Sequence, residues 1–156
     1  MSDQINTVPS AFDTLCSFLT AREFAFKKEE DGNTVTFGMK GHDGLPIDFR
    51  INVDEKNKRV LLLSQLPFYM DEDSLLDGAL AVCAINYNLA EGNFDYNLQN
   101  GAIVFRMSNT LRGCTPNEKT FEFMIVAASS IVDEFNEKLL KLQKGETDIS
   151  KFISEC

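Results

Sequence analysis

The sequence predicts an α+β domain in which an antiparallel sheet of about five to six strands carries packed helices, in the order α-β-β-β-β-α-β-β-α. Three observations predict it. Short segments with an apolar residue at every second position recur between turns rich in glycine, asparagine and aspartate. Three longer segments instead place apolar residues three and four apart, the spacing of one buried helix face. The strands come in consecutive runs rather than alternating one by one with helices, which argues against a parallel sheet. At 156 residues the chain, 1-156, has the length of a single domain and enough interior for one core without disulfides or metals.

The first helix is expected from about Pro9 to Ala21, with Pro9 in the first turn and Phe12, Leu15, Cys16 and Leu19 on one face. Strands follow on both sides of an Asp31-Gly32 turn signal, with Phe24 and Phe26 before it and Val35, Phe37 and Met39 after it. Gly41–Gly44 turns the chain into Leu45, Ile47, Phe49, Ile51 and Val53, which alternate as a half-buried strand does. Asp54–Lys58 makes the next turn and Arg59–Leu66 the next strand.

The second helix opens near Asp71, read as its cap, with Met70 and Leu75 as a hydrophobic staple and Glu72 and Asp73 at the positive end of the helix dipole. From Gly78 to Ala90 it carries no charge, and the stripe Asp77, Ala81, Ala84, Asn88 is mostly small. A helix with its back to water shows a charged face. This one is therefore expected to be covered on two sides, by another helix of the chain or by a partner subunit. Glu91-Gly92 ends it, Phe94, Tyr96 and Leu98 alternate, Asn100-Gly101 reads as a two-residue type I′ hairpin loop, and Ile103, Phe105 and Met107 return. The last helix starts with Thr115 as N-cap, Pro116 at the first position and Glu118 closing a capping box, and its seam runs through Phe121, Ile125, Ala128, Val132, Phe135, Leu139 and Leu142. At ~1.5 Å per residue it is roughly 43 Å long and outreaches a strand of about 20 Å. The tail Asp148–Cys156 is expected to fold a short helix back on that overhang through Ile149, Phe152 and Ile153.

Net charge is −9, and from Val60 through Phe105 there is no lysine, arginine or histidine while six acids occur, the reverse of a nucleic-acid binder. The cations gather in Lys56–Arg59 and at Lys138, Lys141 and Lys144, read as a solvated turn and a helix end. No apolar run approaches the roughly 18 residues of a membrane span. Met1–Leu15 has neither the basic nor the apolar region of an export signal, nor a lipidation motif, so a cytoplasmic protein is expected. Cys16, Cys83, Cys114 and Cys156 are not spaced as a metal knuckle or redox pair; the first two read as small core hydrophobes and the others as free thiols. Asn93, Asp95 and Asn97 imitate a calcium loop, but Leu98 stands where glycine is needed and Val104 where a bidentate glutamate belongs. His42, the single histidine, reads as an exposed turn residue, and the acid pairs Asp54/Glu55 and Asp71/Asp73 are not placed at any pocket by the sequence. With no nucleophile motif and no phosphate-cradling loop, no catalytic, cofactor-binding or metal-ligating residue is expected.

The run Leu75–Leu111, followed by the helix from Asn117, resembles the second half of the class I type III secretion chaperone fold, and still more the YbjN-type bacterial proteins that share it. The matching residues are Leu75 and Leu76, Asn86 and Asn88, Gly92, Phe94 and Tyr96, Gly101, and Ile103 and Phe105. The likeness extends over about residues 9 to 142, and the extra strand in Phe37–Val53 favours the YbjN-like branch. It implies a small acidic non-enzymatic protein, chaperone-like or regulatory, that dimerises and holds a partner polypeptide on apolar surface. It further implies that subunits join through the second helix and the hairpin, with Ala81, Ala84, Asn88, Val104 and Arg106 at the contact. The alternative is a small-ligand-binding or sensory domain with an apolar pocket.

Overall fold

In the computed structural model, which describes residues 8–156, the elements follow as α1 (Ala11–Ala21), β1 (Phe26–Lys28), β2 (Thr34–Lys40), β3 (Pro46–Asp54), β4 (Arg59–Tyr69), α2 (Leu75–Asn88), β5 (Asn93–Tyr96), β6 (Ala102–Thr110), α3 (Glu118–Gln143) and α4 (Ile149–Ser154). The expectation drawn from Met1–Leu15 falls in part on Met1–Thr7, outside the described residues. All six strands join one antiparallel sheet in the order β1-β2-β3-β4-β6-β5. The α-β-β-β-β-α-β-β order is as expected, with α4 following α3.

Strict alternation sends one set of side chains inward. Ile47, Phe49, Ile51 and Val53 on β3, Val60, Leu62 and Leu66 on β4, and Ile103, Phe105 and Met107 on β6 are all buried. They meet α3, which crosses β3, β4 and β6; α1 packs on α3, α2 lies on β5, and α4 sits against α2 and α3. The helices thus occupy one face of the sheet. The other face, with Thr36, Arg50, Leu63, Gln65, Val104 and Arg106, has no helix on it among the described residues.

Several local expectations are corrected. α1 begins after Ser10, whose hydroxyl accepts the Asp13 N–H at 3.0 Å, so Pro9 lies before the helix rather than in its first turn. β1 has only three residues; Phe24 stays outside it but packs its ring at a tilt on Phe37, centroids 5.2 Å apart. β4 continues past Leu66 to Tyr69 through a register shift between Gln65 and Tyr69, which accommodates Pro67 and its missing N–H. Asp71 does not cap α2. Its carboxylate accepts the N–H and hydroxyl of Ser74 at 3.0 and 2.8 Å, a closed turn before the helix, and Ser74 takes the N-cap position with its hydroxyl already spent. α2 also stops at Asn88, with Leu89 extended, rather than at Ala90.

α3 starts after Asn117, whose side chain accepts the Thr120 N–H at 3.1 Å, so Thr115 and Pro116 precede the helix and the expected capping box does not form. Asparagine caps as well as threonine, and here it stands closer to the seam. The 26 residues of α3 span about 39 Å, and α4, capped by Asp148, does fold back with Phe152 buried, although Ile153 stays exposed. The hairpin loop is four residues rather than two: Asn97 N–H still donates to Ala102 C=O, and the Gly101 N–H returns to Asn97 C=O at 2.8 Å. Among these loop residues only Gly101 has positive φ, +71°, so the type I′ turn at Asn100-Gly101 is not formed. Cys16 is buried as expected, but Cys83 is exposed.

Candidate functional site

Helix α2, which carries no charge after Asp77 in its first turn, is fastened to the edge strand β5 by three contacts. Tyr96 Oη donates to the Leu75 carbonyl at 2.7 Å. Asn86 takes both backbone groups of Phe94, accepting its N–H at 2.8 Å and donating to its C=O at 2.9 Å. Gly78 lies so close to Tyr96 and Met70 that an added Cβ would stand 2.7 Å from the phenol oxygen and 2.6 Å from Met70 Cγ. Burial raises the Tyr96 phenol above its ordinary pKa.

These contacts decide which side of α2 faces in. Gly78, Ala81, Val82 and Ile85 are buried. Outward lie Leu76, Leu80, Cys83 and Tyr87, spaced four, three and four apart, with Leu76 73%, Leu80 52% and Tyr87 90% exposed. Single exposed apolar residues are ordinary, but four in one charge-free stripe form a patch of the kind that marks an interaction surface. α3 and α4 cover part of α2, and none of the described residues covers this stripe.

The contact residues expected from the sequence scatter. Ala81 is 0% exposed and enclosed by its own chain, a correction that removes it from any subunit contact. Ala84 is half-buried and Asn88 exposed. Val104 and Arg106 lie on the helix-free face of the sheet, Val104 half-buried and Arg106 exposed and paired with Asp95 at 2.8 Å. A flat contact on α2 does not include them. Small residues suggested close approach of a second helix; in the fold Gly78 instead serves close approach to Tyr96 of β5. The available signal was Leu76, Leu80 and Tyr87, large residues on the opposite side of the same helical wheel.

On the helix-free face a cleft of about 560 Å³ runs between Lys27, Gly38, Asp48, Leu63, Gln65 and Val104. Beside it Arg50 holds Glu29 through two bonds of 3.0 and 2.8 Å, which raise the arginine above its usual pKa. The acids singled out in the sequence build turns. Asp71 is held below the usual carboxylate range by the Ser74 hydroxyl first, then the Ser74 N–H, and Asp54 by Asn57. Asp95 is engaged by Asn93 and Arg106. His42 is exposed, and its backbone N–H donates to Asp133 of α3 at 2.6 Å. Among the described residues no group of three or more His, Cys, Asp and Glu is arranged to hold a metal, and no helix is long and apolar enough to cross a membrane.

This fold matches known structures. YbjN from E. coli, a proposed transcription regulator, superposes with a TM-score of 0.59 over 81% of this chain and 92% of that one, at 16% identity. A chain of the HopA1-SchA chaperone-effector complex superposes with a TM-score of 0.50 over 80% and 91%, at 17% identity. No protein-family model and no curated protein sequence matches. The likeness is one of fold, and the YbjN-like, chaperone-like α+β fold expected from the residues is the one observed.

Proposed function

We propose that the chain is a non-enzymatic protein-binding module, chaperone-like or regulatory, that works in the cytoplasm as a homodimer and holds a partner polypeptide. The outward stripe Leu76, Leu80, Cys83, Tyr87 carries the reading. A fold shared with a chain of a chaperone-effector complex supports a polypeptide partner. The stripe is straight and free of charge, so two copies related by a two-fold axis present the same patch to each other without repulsion. Removing Leu76, Leu80 and Tyr87 from water contributes on the order of 1–2 kcal/mol per side chain. Ala84 and Asn88 fall at the margin of such a contact.

Light scattering tests this. The wild type is expected at twice the mass of one chain at micromolar concentration. The pair Leu80→Glu and Tyr87→Glu, both at exposed positions, is expected at the mass of one chain with an unchanged circular dichroism spectrum, because a buried unpaired carboxylate is costly. A wild type at single-chain mass refutes the dimer. The cleft of about 560 Å³ on the sheet favours a second reading, a small-ligand site, since it falls in the usual range of roughly 300–1,000 Å³. A small apolar compound whose thermal stabilisation is abolished by Val104→Trp would carry that reading instead.

A further inference from the structure

We infer that the free end of the β6 edge takes an acidic, extended segment of a partner polypeptide as an added strand. The inference rests on reading the chain as a polypeptide binder, but not on the dimer, because it uses a different surface.

The backbone supplies the first observation. In an antiparallel ladder the N–H and C=O of one residue point to the same neighbour, and successive residues alternate. Asn97 N–H donates to Ala102 C=O at 2.9 Å, so Ala102, Val104, Arg106, Ser108 and Thr110 turn their backbone groups toward the β5 side. The Leu111 N–H, one step out of phase, donates to Lys58 C=O on the β4 side at 2.9 Å, as the alternation requires. β5 pairs with β6 only as far as Asn93 opposite Arg106, and Gly92 at φ +67° turns the chain away. Beyond that point the Ser108 N–H and C=O and the Thr110 N–H face a groove of about 710 Å³; the Thr110 carbonyl is taken by the Cys114 thiol at 3.2 Å. An open edge of this kind is a template for another strand.

Charge supplies the second observation and selects the occupant. In a chain of net charge −9, this groove holds Lys58, Arg59, Arg106 and Arg112 against the single acid Glu91. Arg106 is paired with Asp95 at 2.8 Å, but Lys58 and Arg59 have only long pairings, 3.7 Å to Glu55 and 3.6 Å to Asp54, and Arg112 makes no ion pair among the described residues. Two copies of this edge brought together would oppose cation to cation, which excludes a second copy. An incoming strand beside β6 with carboxylates at alternate positions lies next to the cations that rim this groove.

The test uses the full chain and a fluorescein-labelled peptide of alternating valine and glutamate, with an alternating valine and lysine peptide as control. Anisotropy is expected to show binding of the acidic peptide alone, weakening in roughly 0.5 M salt as screening shortens the reach of the cations. Arg112→Glu and Lys58→Glu, both at exposed positions, are each expected to weaken it about fivefold or more. Amide exchange by NMR is expected to slow at Ser108 and Thr110. Equal binding of the lysine peptide, no binding of either peptide at millimolar concentration, or binding without slowed exchange at Ser108 overturns the inference. If the peptide instead protects Leu76–Tyr87, the edge assignment falls while polypeptide binding stands.

Discussion

Gly101 sits where the hairpin tip presses on the start of the α2 turn, and replacing it with alanine tests that contact. Its φ is +71°, and its carbonyl accepts the Met70 N–H at 2.9 Å. An added Cβ would collide with the Met70 carbonyl oxygen and stand 2.8 Å from the Met70 carbonyl carbon and amide nitrogen, so backbone must move. Left-handed conformation costs a non-glycine residue roughly 1–2 kcal/mol, and losing the hydrogen bond costs about 1 kcal/mol more. Displacement of Met70, itself buried, adds to this, giving a total of about 3 kcal/mol or more. Gly32 provides the control: its φ is +70°, but nothing lies within 4 Å of the Cβ position. Gly32→Ala is therefore expected to cost only the strain, roughly 1–2 kcal/mol. At this chain length one kcal/mol moves the melting temperature by about 2–4 °C, so thermal melts followed by circular dichroism separate the two variants. Equal losses at both positions would refute the packing of the hairpin tip on Met70. Gly101→Val adds β-branching and should be worse than alanine.

Two further outcomes follow from the same geometry. Asn86→Ala leaves the Phe94 N–H and C=O without the partners they have at 2.8 and 2.9 Å, and should cost roughly 1–3 kcal/mol in urea unfolding; Asn88→Ala, whose side chain reaches only the Ala84 carbonyl at 3.4 Å, should be mild, and equal effects would contradict the clamp. Asp31, Asp54 and Asp71 are each held below the normal carboxylate pKa, chiefly by side-chain hydrogen bonds from Thr34, Asn57 and Ser74. Because their folded pKa values lie below the unfolded value of about 3.9, their stabilisation is present above that pH and lost as pH falls through the folded values. The melting temperature should therefore drop below about pH 4, and less so in Asp71→Asn; an acid loss undiminished in that variant would show that the Asp71 turn does not contribute.

Much of the fold could be read from local pattern. The alternation of Ile47, Phe49, Ile51 and Val53 needs no distant partner to specify a half-buried strand, and the seam from Phe121 to Leu142 needs none to specify a helix. Boundaries failed where two good local solutions compete. Thr115 and Asn117 can both cap a helix, and Asp71 and Ser74 can both start one; the choice fell to whichever placed the apolar seam on the sheet. The hairpin failed differently, because Asn100-Gly101 is a sound two-residue turn in isolation. The backbone of Met70, remote in sequence, holds the Gly101 carbonyl and selects the longer loop.

For the interaction surfaces, the sequence by itself determined that α2 lacks charge from Gly78 onward, that the chain is acidic, and that cations stand at Lys58, Arg59, Arg106 and Arg112. It did not determine which side of α2 is outside, since a helix with small residues on one side and large ones on the other can bury either. Tertiary structure decided it: Gly78 and Asn86 hold α2 close to β5, and Leu76, Leu80 and Tyr87 were left in solvent. Nor could sequence separation show that the β3–β4 turn and the end of β6 share one groove, because only the pairing of Arg59 with Thr110 brings those cations together. Periodicity is a property of neighbours along the chain, whereas an exposed stripe and an open strand edge exist only relative to what the rest of the fold leaves uncovered.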